Sequence, residues 1–237
     1  MKLKALLFIC IVFGLVGWGP IHTEMLNSFF ATNYSQGSWI DETTKTLRAQ
    51  ASNLSPEVLK VGLTAYLKAR ERGLDSKGML TLVDYTKASS EKRLWVIDVN
   101  HVKVLFNTWV AHGKNSGSVN ATSFSNTPGS LKSSFGVFLT DETYVGGKGY
   151  SLRVKGLENE VNNNALRRNI VVHGASYVGE DVAKSNGRVG RSFGCFAVSE
   201  EVVKPLINTI KDNTLLVAYY PDKNWLAHSD FVSASIT

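Results

Sequence analysis

Two residues of this chain have the types that nucleophilic catalysis uses. An apolar run, Ile170-Val171-Val172, ends in His173-Gly174, and a later glycine-bracketed loop delivers Ser192-Phe193-Gly194-Cys195. A thiol is a weak nucleophile at its free pKa of about 8.5, and a neighbouring imidazole converts it to thiolate. Gly194, directly before the cysteine, lets the backbone turn so that N–H groups face a developing oxyanion. Arg188 and Arg191 add positive charge that favours thiolate, and a guanidinium fork suits a substrate carboxylate. Spacing alone leaves plainer roles open. A lone cysteine also serves as a small buried apolar residue, and a histidine at a strand end as a structural one.

The N-terminus bears on that choice. Lys2 and Lys4 precede an apolar stretch from Ala5 to Trp18, too short to span a bilayer as a helix, which needs roughly 18 residues. The pattern reads as an export signal over 1–19, with Gly17 and Gly19 the nearest small residues and an uncleaved N-terminal membrane anchor as the alternative. Cys10 lies inside the apolar stretch and is not preceded by a lipobox. Cleavage would leave Cys195 as the one thiol of the mature chain. Outside the cytoplasm cysteines usually pair. An unpaired one is expected to be buried or useful.

The elements that must position these residues follow from the patterning. Residues 20 to about 52 read as a polar linker, with a short helix around Thr43 to Ala51. Ser55-Pro56-Glu57 opens a second helix that runs to Arg72 and stops at Gly73, with Leu59, Leu63, Tyr66 and Leu67 on one face. From Leu80 the period changes to that of strands. The runs 93–100 and 102–110, joined at Asn100-His101, predict a β-hairpin. Short strands are expected at 136–140, 150–154, 169–173 and 213–220, and a short helix containing Pro205 over 201–210. Loops rich in Gly, Ser and Asn separate them.

Composition bounds the rest. Apolar residues at 43% and charged residues at 19% fit a chain with a real core and exclude a disordered one. The formal charge of +6 admits an anionic partner, but there is no dense basic run, zinc-finger or RNP-like motif, so nucleic acid is not expected. No His/Cys/Asp/Glu grouping has metal-ligand spacing, and no metal or cofactor is expected. Gly146-Gly147-Lys148-Gly149 lacks the phosphate-loop frame and reads as a flexible turn. His112-Gly113 repeats the His-Gly pair and reads as a strand end, with lining the substrate cleft as the alternative. Asp141 and Glu142 read as turn residues.

The stretch 171–199 resembles the signature of the L,D-transpeptidase (YkuD-type) catalytic domain, a His-Gly followed by Ser/Thr-His-Gly-Cys. It is closer to the murein L,D-transpeptidase catalytic domain branch, which carries Gly-Arg-Ser-aromatic-Gly-Cys, as Gly190 to Cys195 do here. The hairpin 92–113 and the segment 126–140 (Asn126-Thr127-Pro128-Gly129 and the following Phe135) are similar to further parts of that domain. Two departures stand out. Phe193 replaces the histidine usual before Gly-Cys, and Phe196-Ala197 follow Cys195 where many members place an arginine. The carboxylate-binding arginine then comes from elsewhere, with Arg191 and Arg188 as candidates.

The resemblance implies a mainly β fold, an L,D-transpeptidase-like β-sandwich or mixed-sheet catalytic domain over 80–221. A linker and helical lead-in would occupy 20–79 and a C-terminal tail 222–237. It implies a Cys195 nucleophile, His173 as base and acid, N–H groups near Gly194 and Cys195 as the oxyanion site, and Gly174 and Ser192 as residues shaping it. The partner would be a peptidoglycan stem peptide, the product an acyl-enzyme resolved by an amine or by water, and the location periplasmic or cell-envelope. Papain-like peptidases place Cys before His, opposite to the order here. Sortases share this order but keep an arginine after the cysteine. A wall-binding module without catalysis is the alternative from another class.

Overall fold

The computed structural model describes residues 36–75 and 77–233. The expectations for Lys2, Lys4, Cys10 and the export signal lie outside them. The chain divides into two compact units, 1–42 and 43–237. In the first, 36–42 are helical. The second holds the sheet and the residues expected to do chemistry. No described helix is long and apolar enough to cross a membrane.

Residues 43–50 are helical, where the short helix around Thr43 to Ala51 was expected. Gln50 explains why this polar piece is ordered: its Nε2 donates to Val102 O at 2.8 Å, and its Oε1 accepts from Val104 N at 2.9 Å. The next helix, α1 (Pro56–Glu71), starts as expected. Ser55 Oγ accepts from Glu57 N, and Pro56 occupies the first turn, where a missing N–H costs nothing. Its buried face rests on the first and last strands. Leu59 and Leu63 are fully buried, each contributing about 2 kcal/mol of transfer free energy.

The strands are β1 (Met79–Asp84), β2 (Leu94–Asp98), β3 (Lys103–Thr108), β4 (Gly136–Gly146), β5 (Gly149–Gly156), β6 (Val171–Gly174), β7 (Phe196–Val198) and β8 (Leu215–Tyr219). They form one mixed sheet in the order β3-β2-β1-β8-β4-β5-β6-β7. The expected hairpin is β2–β3, paired from Leu94↔Thr108 to Asp98↔Lys103. β8 lies between β1, to which it is parallel, and β4. All five of its residues are buried, as expected of a strand covered on both faces.

Three further helices surround the sheet, one of them expected. α2 (Glu180–Asn186) fills the spacer between His173 and Cys195, and α3 (Glu200–Ile210) is the expected helix containing Pro205. α4 (Lys223–His228) lies in the stretch expected as a tail. There Asp222 accepts from Trp225 N, and Trp225, Phe231 and Val232 are buried. Two apolar clusters share the residues of β6 and β7 and their flanks. Val172, Phe196 and Val198 belong to the larger, which also holds Leu206 and Ile210 of α3. Ala111, Ala175, Val178, Ala183, Val189 and Ala197 form the smaller.

Candidate active site

β6 and β7 are parallel neighbours, and their register places Val172 beside Phe196 and His173 beside Ala197. Successive side chains alternate across a sheet. Val172 and Phe196 therefore enter the larger cluster, while His173 and Ala197 face the other side. Gly174 follows because α3 packs closely there. A Cβ on Gly174 would stand 3.0 Å from Val203 Cγ1.

The His173 ring is fixed by its own backbone: Nδ1 lies 2.8 Å from Gly174 O. That contact requires the proton on Nδ1, which leaves Nε2 with its lone pair. His173 is 3% exposed, and burial lowers its pKa below the usual histidine value; the Gly174 bond opposes this and the charge of Lys148 adds to it. At neutral pH the imidazole is an uncharged base.

Cys195 stands directly before β7 on a loop built around Ser192. Ser192 N donates to His112 O at 2.9 Å, and Lys114 N donates to Ser192 O at 2.8 Å, so the loop is laced to the segment after β3. The Ser192 hydroxyl donates to Cys195 O at 2.7 Å and accepts from Gly194 N at 3.1 Å. The Gly194 N–H is occupied, while the Cys195 N–H meets no acceptor among the described residues. Gly194 itself has φ +119, which L side chains rarely adopt, and its absent Cβ would lie 2.6 Å from Lys132 O. No other residue fits.

The thiol is half-buried, and Sγ donates to Asn169 O at 3.5 Å. Burial raises its pKa; the Val171 N–H and the charges of Arg168 and Lys148 pull the other way. The charge of Lys148 acts on both His173 and Cys195. Each side chain bonds a backbone carbonyl rather than the other. Thiol and imidazole are each neutral at rest rather than a preformed ion pair.

The structure uses both expected arginines on backbone carbonyls. Arg191 Nη1 donates to Lys114 O and Gly117 O at 3.2 and 3.3 Å, and Arg188 Nη1 donates to Val189 O. His112 is fully buried and lies four residues past the end of β3, in irregular chain rather than at a strand end. Arg93 Nη2 meets its Nδ1, and its Nε2 donates to Gly117 O. The guanidinium packed against Gly194, one residue from the nucleophile candidate, is that of Arg168, which no motif singled out. Its signal was the pair Arg167-Arg168 directly ahead of the strand carrying His173. The turn at Gly146–Gly149 is the tip of the β4–β5 hairpin, and the charge of its Lys148 acts on Cys195. Asp141 and Glu142 pair with Lys155 and Arg153 on β5.

A family profile described as the L,D-transpeptidase catalytic domain matches residues 50–219. The chain belongs to this family. Among solved structures it is similar to an L,D-transpeptidase from Mycobacterium smegmatis at 13% identity and a TM-score of 0.39, covering 60% of this chain and 59% of that one. It is similar also to the helical cell shape determining protein Pgp2 of Campylobacter jejuni, at 12% identity and a TM-score of 0.41, covering 68% and 57%. A third is L,D-transpeptidase 1 of Mycobacterium tuberculosis, at 12% identity and a TM-score of 0.35, covering 60% and 61%. The chain thus spans about three fifths of these proteins' own length. Comparison with curated proteins gives no match. The mainly β, mixed-sheet fold expected from the resemblance is the fold of this L,D-transpeptidase domain.

Proposed function

We propose that this domain is a cysteine-dependent L,D-transpeptidase of peptidoglycan stem peptides, acting in the periplasm or cell envelope after export. The observation that carries the reading is His173 on β6, its Nδ1 proton held by Gly174 O, with a half-buried Cys195 that the Ser192 hydroxyl holds at the head of the adjacent strand. Nε2 takes the thiol proton as Sγ attacks the carbonyl between the third stem residue and D-Ala. The Cys195 N–H receives the oxyanion as the tetrahedral intermediate forms. The imidazolium then returns its proton to the departing D-Ala amine, leaving a thioester on Cys195. A second stem amine resolves the thioester by transpeptidation, and water resolves it as an L,D-carboxypeptidase would.

The purified protein incubated with tetrapeptide muropeptides and followed by mass spectrometry tests this. The expected products are free D-Ala with crosslinked or shortened stems, and Cys195→Ala yields none while keeping a cooperative unfolding transition. Turnover by Cys195→Ala would end the nucleophile assignment. Binding of muropeptides without product in the native protein would favour the wall-binding module instead.

A further inference from the structure

The long segment between β3 and β4 reaches the site as irregular chain, with no helix or strand between 123 and 134. Such a stretch holds one conformation only when something outside it satisfies its polar groups. Arg168 does so. Its Nη1 donates to Ser125 O at 2.6 Å and to Ser134 Oγ, and its Nη2 donates to Ser130 Oγ at 3.2 Å and to Lys132 O at 2.5 Å. One planar fork thus gathers four positions of the segment.

The same fork abuts the nucleophile loop. Nη2 stands 3.3 Å from where a Cβ on Gly194 would be, and the Lys132 carbonyl it holds stands 2.6 Å from that point. Arg168, Lys132 and Gly194 are therefore packed together, one residue from the sulfur. Four acceptors around the guanidinium leave it no free edge for a substrate carboxylate. Its partners hold its direction rather than neutralise it: all are carbonyls or hydroxyls, and the described structure pairs no carboxylate with it.

We propose that Arg168 is a positioning residue of the nucleophile: it clamps the 125–134 segment beneath Gly194 and presents a fixed, uncompensated positive charge to Cys195. It thereby supplies from upstream of β6 the cation that is missing after Cys195 in the sequence. The inference rests on the reading of Cys195 as nucleophile and extends it to a residue that touches no substrate. Other groups interact electrostatically with the sulfur too: Lys148 from the β4–β5 tip, Tyr177 after β6 and Tyr85 after β1, while His173 stands on the adjacent strand β6. Arg168 differs from Lys148 in being half-buried and held by four bonds, so solvent screens its charge less.

The test is the pH dependence of Cys195 alkylation by iodoacetamide, read by mass on the intact protein, alongside muropeptide turnover. Arg168→Met should raise the alkylation midpoint by about one pH unit, the lower end of the effect of a nearby opposite charge, and lower turnover at least tenfold. Arg168→Lys should keep the midpoint near that of the native protein yet still lose about tenfold in kcat, since one ammonium cannot hold four acceptors. An unchanged midpoint in Arg168→Met, or native kcat in Arg168→Lys, overturns the proposal. If Arg168→Met does not fold, the Arg168→Lys result decides. Alkylation needs no stem peptide. A shifted midpoint in a protein that never processes muropeptides would therefore sink the proposed function and leave the role of Arg168 standing.

Discussion

Arg93 Nη2 lies 2.8 Å from His112 Nδ1, and both side chains are fully buried with no carboxylate between them. The arginine donates, so Nδ1 of the imidazole must be bare, and Nε2 carries the proton it gives to Gly117 O. Burial and the adjacent guanidinium push the His112 pKa down from 6.5 to about 4. This neutral histidine holds the 112–114 segment to which Ser192 is laced.

The stability consequence has a definite sign. A histidine whose folded pKa lies below its unfolded one takes up a proton more readily in the unfolded chain. Its stabilisation is full above about pH 6.5 and is lost as pH falls towards 4, amounting to about 3 kcal/mol at most. His112→Gln can accept from Arg93 and donate to Gly117 without titrating. Urea unfolding at pH 7.5, 5.5 and 4.5 should show a shallower decline for His112→Gln than for the native protein. Parallel declines would remove His112 as the cause.

His173 titrates in the same direction for a different purpose. Because burial lowers its pKa, the base is available throughout the neutral range, and turnover should fall only as pH drops below that of an ordinary histidine. His173→Ala should lose about a hundredfold or more in kcat and alkylate more slowly near pH 7. Above the titration of the thiol itself the two proteins should alkylate alike, because the sulfur no longer needs a base. Equal rates at pH 7 would make His173 structural.

Arg191 Nη1 is already engaged with Lys114 O and Gly117 O, which favours a role in holding the loop. Arg191→Lys should change kcat/KM less than about threefold, the scale of one exposed neutral-acceptor hydrogen bond. The effect should be the same on stems with free and with amidated carboxylates. A tenfold loss confined to free carboxylates would restore the arginine as a substrate anchor.

Strongly patterned elements were legible in the sequence. Ser55-Pro56 opened α1 and Gly73 closed it, and the apolar runs around Asn100-His101 formed β2–β3. Short elements were not. β7 is three residues long and shows no period, α2 buries only Ala183, and α4 is anchored mainly by Trp225. At the site, the spacing and the resemblance marked His173, Gly174, Ser192, Gly194 and Cys195. The partners of a guanidinium are a different matter. Arg168 reaches residues 125–134, and Arg191 reaches 114 and 117, contacts that only the folded chain creates.

The place of β8 inverts the order of synthesis and assembly. It is the last strand to leave the ribosome, yet it stands between β1 and β4. Until Leu215 meets Leu80, no strand of the sheet joins the first hairpin to the half bearing the thiol, and only the bonds between the 111–114 segment and the nucleophile loop tie them. Closing so long a loop is slow, and meanwhile two apolar strand edges stay open to other chains. A chain cut short of β8 should therefore aggregate rather than expose a half-built reactive cysteine.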